Sequence, residues 1–174
     1  MAACPSGDRA RIEQEAFARG PELRAPVFYG KLWAMKLKIK KLSQNAVIPT
    51  YAHPGDAGMD LRSSVDVTIK KGEWVGVPTG VAMEIPDGYV GLIWDKSGLS
   101  IKNGLKTLGG VVDAGYRGEV KVGIVNLSNE DYALQAGDKV AQMLIQKVEQ
   151  PVVEEVDELS DTSRGTGGFG STGK

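Results

Sequence analysis

The chain has 174 residues, 41% hydrophobic and 25% charged, with a formal net charge of −1. That is enough for one domain with a proper core and hardly for two, and the near-neutral charge leaves no electrostatic footprint for stable binding to nucleic acid or an anionic membrane. The lone cysteine, Cys4, excludes an intrachain disulfide and a cysteine-built zinc site, and no apolar run approaches a membrane span or a signal-peptide core. The expected setting is therefore a reducing compartment, the cytoplasm, or the nucleus if the source is eukaryotic.

Residues 1–34 differ from the rest of the chain. Asp8 is placed to cap a short helix running to Arg19, and Pro21 and Pro26 then interrupt it. Acidic residues at Asp8, Glu13, Glu15 and Glu22 oppose a transit peptide. The expectation is an N-terminal extension over 1–34, a β domain over 35–160 and a glycine-rich arm over 161–174.

From Met35 the pattern is strand and turn. Met35-Lys36-Leu37-Lys38-Ile39-Lys40 alternates as an outer strand should. So do Val65-Val67-Ile69, Trp74-Val75-Val77, Val81-Met83-Ile85 and Val120-Val122-Ile124, whereas 89–94 and 140–145 read as strands buried on both faces. Glycine, proline, asparagine and aspartate clusters separate these runs, and the one helical candidate in the domain lies near 97–103. Short strands at this spacing predict a compact all-β sandwich or distorted barrel.

Chemistry has few places to reside. The only histidine, His53, sits in the loop Tyr51-Ala52-His53-Pro54-Gly55 and reads as an exposed side chain, which turns attention to carboxylates. Asp113 follows the apolar strand Leu108-Gly109-Gly110-Val111-Val112 and precedes Ala114-Gly115-Tyr116-Arg117-Gly118, read as a hairpin turn into 119–125. Aspartate favours turns for structural reasons, but Tyr116 three positions on suits a base beside a sugar-packing ring. Asp60, in an apolar context, must find partners or stay wet. Asp95-Lys96-Ser97-Gly98 offers a cation, a hydroxyl and glycine-freed amides for phosphate oxygens. The tail from Arg164 to Gly173 carries a guanidinium, an aromatic ring and hydroxyls among glycines, fitting either a solvated linker or a lid over a phosphorylated, ring-bearing ligand.

The order of these segments is specific. Residues 57–64, 95–100, 110–119, 137–143 and 164–173 resemble the five ordered motifs of the trimeric all-β deoxyuridine triphosphatases. The resemblance implies the jelly-roll-like fold of that family and hydrolysis of dUTP to dUMP and pyrophosphate, which limits uracil in DNA and supplies dUMP. It also implies Mg²⁺ as cofactor and a homotrimer with shared active sites. Asp113 would orient and deprotonate the attacking water, and Tyr116 would lie under the deoxyribose. Gly110 and Val112 would help select uracil. Lys96, Ser97, Gly98 and Gln142 would contact phosphates, while Asp60 would hold the hydrated metal indirectly, through water. Arg164, Phe169, Gly170, Ser171 and Thr172 would form the closing arm, with Phe169 over the base.

Three residues depart from the family pattern: Lys96 stands for the usual arginine, Asp95 for a commonly neutral residue, and Gly115 for a frequent second acid. Lysine lacks the planar fork of arginine, and Asp95 is expected to pair with Lys96. Two other activities fit the same fold. One is a dCTP deaminase, alone or bifunctional, which needs a glutamate proton shuttle beside a tryptophan-like turn; here Tyr116-Arg117-Gly118 occupies that turn and Glu119 lies one step past the glycine. The other is a nucleotide-responsive regulator without significant turnover.

Overall fold

The structure, a computed structural model, describes residues 35–168. The chain divides into two units, Met1–Met35 and Lys36–Lys174, and every element below belongs to the second. The helix expected over 8–19 lies outside the described residues, as do Phe169, Gly170, Ser171 and Thr172 of the arm.

Among the described residues, ten strands and one helix occur in the order β1 (Lys38–Lys41), β2 (Met59–Arg62), β3 (Val67–Ile69), β4 (Trp74–Glu84), β5 (Tyr89–Trp94), α1 (Ser97–Asn103), β6 (Leu105–Leu108), β7 (Val111–Val112), β8 (Glu119–Asn126), β9 (Tyr132–Leu134) and β10 (Lys139–Lys147). They form two four-stranded antiparallel sheets, ordered β1-β4-β8-β6 and β2-β10-β5-β7, and a two-stranded ribbon of β3 and β9. The fold is all-β and jelly-roll-like. Alternation explains the packing: in β8, Val120, Val122 and Ile124 point inward while Lys121 points out. Val77, Val81, Leu61, Ile69, Leu134 and Met143 meet them from both sheets and the ribbon in one core.

Four details differ from the expectation. The first strand begins at Lys38, not Met35, because only 38–41 pair with β4. The two runs 74–77 and 81–85 merge, up to Glu84, into one strand, β4, which absorbs Pro78 and Gly80 in a bulge where the register to β8 jumps from Pro78↔Lys121 to Ala82↔Glu119. Side chains repair the broken ladder there: Thr79 Oγ1 donates to Val120 O at 2.5 Å, and the Gly80 N–H donates to Glu119 Oε1 at 2.8 Å. Trp94, at the end of a run expected to be buried, is 55% exposed.

The fourth difference concerns the site. Residues 108–112 are not one strand. Gly109 (φ +68°) and Gly110 (φ +116°) turn the chain between sheets, so β6 pairs with β8 while β7 pairs with β5. The segment from Val112 to Glu119 is therefore a crossing between the two sheets, not a hairpin, since β7 and β8 do not pair.

Candidate active site

The predicted site residues fall into two corners and an arm. The first corner is built across three strands. β10 lies between β2 and β5, and its Gln142 sits opposite Asp60 on one side and Trp94 on the other. Asp60 is 4% exposed, yet both its oxygens are occupied: Lys96 Nζ lies 2.5 Å from Oδ1 and Lys139 Nζ 2.6 Å from Oδ2. Burial pushes the carboxyl up, but the hydrogen bonds and charges of Lys139 and Lys96 outweigh it and hold the group below its ordinary value. Asp60 is an anion in this environment.

Gln142 joins the strands. Its Nε2 donates to Asp95 O at 2.9 Å, leaving its second N–H for another acceptor. Its side chain lies over Gly58, where a Cβ would come within 2.7 Å of Oε1, so position 58 has to be glycine for this placement. Lys96 immediately precedes α1 in extended conformation, and the Leu99 and Ser100 N–H groups both donate to Lys96 O at 2.9 Å. The first amides of a helix have no intrahelical acceptor, which leaves those of Ser97 and Gly98 for a ligand. Among the described residues nothing lies within 4 Å of where a Gly98 Cβ would be, so the approach is open.

Asp95 does not pair with Lys96 as expected. Its carboxylate accepts from Lys106 Nζ at 2.6 Å and from both the N–H and the hydroxyl of Thr107 at 2.7 Å. Consecutive side chains of an extended segment point to opposite sides, so Asp95 faces β6 while Lys96 faces β2.

The second corner lies at the sheet crossing. Asp113 is exposed and lines two clefts. One, of about 280 Å³, is shared with Ile93, Gly110, Val112, Tyr116 and Glu119; the other, of about 540 Å³, with Tyr89, Gly115 and Gln150. The crossing is locked by its own bonds. The Tyr116 N–H donates to Asp113 O at 3.1 Å, and Arg117 Nη1 donates to Ala114 O at 2.5 Å and Tyr116 O at 2.9 Å. Tyr116 folds over Gly118, where a Cβ would strike its ring and hydroxyl, and the hydroxyl donates to Glu119 O at 2.9 Å. With that hydroxyl engaged, the half-exposed ring is the surface that Tyr116 offers a ligand. Gly110 approaches Ile93 closely, its carbonyl accepting the Ile93 N–H at 2.7 Å.

The arm is described only as far as Gly168. Arg164 Nε donates to Gly167 O at 2.7 Å, a turn within the arm, and no hydrogen bond among the described residues ties Arg164 to either corner.

One chain does not bring its two corners together. The pairing Gly91↔Val112 sets Asp113 level with Val90, and Lys96 lies six residues further along, about 20 Å at the rise of a strand.

Nothing in the sequence singles out Lys139, although it grips Asp60 as closely as Lys96 does. Three positions from Gln142, it should face the other side of a regular strand. A bulge between Lys139 and Ala141 brings it back to the same face. Gly58, Gly118 and Glu119 also shape the corners, and only their neighbours can show it.

The dUTPase family model matches residues 44–173. The deoxyuridine 5′-triphosphate nucleotidohydrolase of Nautilia profundicola is 51% identical over 142 residues, 80% of this chain and 100% of that protein. The one of Rhodococcus erythropolis is 49% identical over 142 residues, 80% of this chain and 87% of that protein. Among solved structures, the dUTPase of Staphylococcus bacteriophage 80alpha with dUpNHpp superposes with a TM-score of 0.76 at 32% identity, over 80% of this chain and 99% of that one. A dUTPase of phage phi11 of S. aureus, described with a structural Mg(II) ion, gives 0.67 at 32% identity, over 71% and 98%. With a family model over most of its length and relatives sharing about half of its aligned residues, the chain belongs to the dUTPase family.

Proposed function

We propose that the chain hydrolyses dUTP to dUMP and pyrophosphate by attack of water on the α-phosphorus, with Asp113 as general base. The observation that carries this reading is the placement of Asp113: an exposed carboxylate, without an ion pair among the described residues, at the lip of a cleft lined by Gly110, Val112 and Tyr116. A base has to reach a water in that cleft and still have a free oxygen to accept its proton. Uracil enters beside Gly110 and Val112, and the deoxyribose rests on the Tyr116 ring. The neighbouring carboxylate, Glu119, is drawn into the β4 bulge by the Gly80 N–H, which disfavours it as the proton shuttle of a deaminase.

Phosphate oxygens meet the Ser97 and Gly98 amides, Lys96 and the remaining N–H of Gln142. The hard oxygens of Asp60 suit a hydrated Mg²⁺, but each already faces an ammonium. Among the described residues no three His, Cys, Asp or Glu side chains group to hold an ion by themselves. Asp60 would hold the hydrated cation through water, the triphosphate would supply the direct ligands, and Lys96 and Lys139 would meet phosphate oxygens. The cation, when bound, neutralises phosphate charge and favours departure of pyrophosphate.

Catalysis needs reacting groups within about 3–3.5 Å, so Asp113 and the phosphate corner must come from different copies. A homotrimer with three shared sites satisfies this, and the arm carrying Arg164, Phe169, Gly170, Ser171 and Thr172 closes each one. Replacing Asp113 by Asn keeps the shape and removes the base. Turnover of dUTP is expected to fall about 10²–10⁴-fold with KM little changed. Chromatography of products from dUTP, dCTP and dTTP fixes the reaction class, and near-normal turnover by Asp113→Asn would remove the residue from the mechanism.

A further inference from the structure

Helix α1 has seven residues, none of them buried; Leu99 alone packs partly against the core. Its N-cap residue, Lys96, makes no side-chain cap, and its first turn holds no acidic side chain. The Gly104 cap lies at the far end of the helix, and at the near end neither a capping side chain nor a buried apolar face fixes the direction in which the first amides point.

Asp95 does. Its carbonyl accepts from Gln142 on β10, and its carboxylate takes three donors from β6: the Thr107 N–H, the Thr107 hydroxyl and Lys106 Nζ. Among the described residues β6 is the edge strand of its sheet, paired only with β8. An edge strand turns alternate N–H groups away from its neighbour, and Asp95 accepts the one at Thr107 in place of a further strand. The carboxylate thus ties the end of β5 in one sheet to the edge of the other, one residue before the phosphate segment. Burial opposes its charge, but Lys106 and Thr107 prevail and hold the acid below its ordinary value.

We propose that Asp95 is a positioning residue for the triphosphate: clamped to Thr107 and Lys106, it holds Lys96, Ser97 and Gly98 in the orientation that phosphate oxygens meet. The inference rests on the reading of 96–98 as a phosphate site. It also gives a reason for a carboxylate where the family usually has a neutral residue. With Asp95 drawn to β6, Lys96 is sent to the opposite side, onto Asp60.

The test is steady-state hydrolysis of Mg-dUTP by Asp95→Ala, Asp95→Asn and Lys106→Met, with deoxyuridine as a phosphate-free competitive inhibitor. Asp95→Ala is expected to raise KM about tenfold, with kcat within about threefold and deoxyuridine inhibition within about twofold. Asp95→Asn keeps an acceptor for Thr107 and should return KM to within about threefold of the unmodified chain. Lys106→Met loses only the ion pair and should raise KM about two- to threefold, which carries the test if Asp95→Ala does not fold. Unchanged KM in Lys106→Met and Asp95→Ala, an equal loss of deoxyuridine affinity, or no recovery with Asn overturns the clamp. An unmodified chain that does not turn over dUTP overturns instead the assignment of the site on which the clamp rests.

Discussion

A carboxylate that is 4% exposed persists as an anion only if something offsets its lost hydration, and Asp60 has an ammonium against each oxygen. Against the upward push of burial, Lys139 and Lys96 hold its pKa below the ordinary value of 3.8. An acid whose folded value is depressed stabilises the fold above its unfolded value and loses that contribution as pH falls through the folded one. Asp60→Asn should therefore cost about 1–3 kcal/mol at pH 7, because two lysines are left facing each other across a neutral amide. The gap between the variant and the unmodified chain should close as pH falls below 3.8, read by urea unfolding across a pH series. A gap independent of pH would mean that the amide perturbs packing rather than charge. Asp113 is the opposite case: exposed, at a cleft, and without an ion pair among the described residues. The buried acid organises charge, and the open one leaves its oxygens free for the proton transfer proposed for it.

At the level of elements, the sheet crossing at Gly109–Gly110 decides where Asp113 lies. Both glycines have positive φ, but their surroundings differ. Among the described residues a Cβ at Gly109 would meet nothing within 4 Å, whereas one at Gly110 would lie 2.7 Å from the Ile93 carbonyl oxygen. Gly109→Ala should cost about 1 kcal/mol from backbone strain, and Gly110→Ala about 3 kcal/mol or more because a backbone oxygen must also move. Urea unfolding of the two variants checks the order, and equal costs would contradict the close approach. The same crossing shows what a linear reading misses. Alternation in 120–124 and the glycine-bounded turn at 97–103 give β8 and α1 directly, since each depends on local periodicity. Leu108-Gly109-Gly110-Val111-Val112 reads as one strand because its side chains are apolar throughout, and φ is not written in hydropathy. The β4 bulge hides in the same way behind Pro78 and Gly80, and Lys139 behind the bulge in β10. Asp113, Tyr116, Lys96 and Gln142 are legible as chemistry; the partners of Asp60 and Asp95 are not, because strand register sets them.

Across the whole molecule, the two corners lie on opposite edges of β5, with Gln142 and Lys96 at one end and Asp113 at the other. A strand is too stiff to fold them together, so the proposed mechanism requires sites shared between copies. Exposed Val152, Val153, Val156 and Leu159, beyond β10, agree with a segment that packs on a neighbour. Gly98→Asp spoils the phosphate corner without crowding it, since the space is open and φ there is not positive; the added carboxylate repels the triphosphate. Asp113→Asn spoils the other corner. Each variant alone should be nearly inactive. When the two are mixed one to one, unfolded and refolded together, about a quarter of the sites should join an intact Asp113 corner to an intact phosphate corner from another copy. The dUTPase activity of that mixture is the decisive measurement. Recovery to about a quarter of the unmodified level is expected, and activity no higher than the sum of the separate variants would show that each chain builds its site alone.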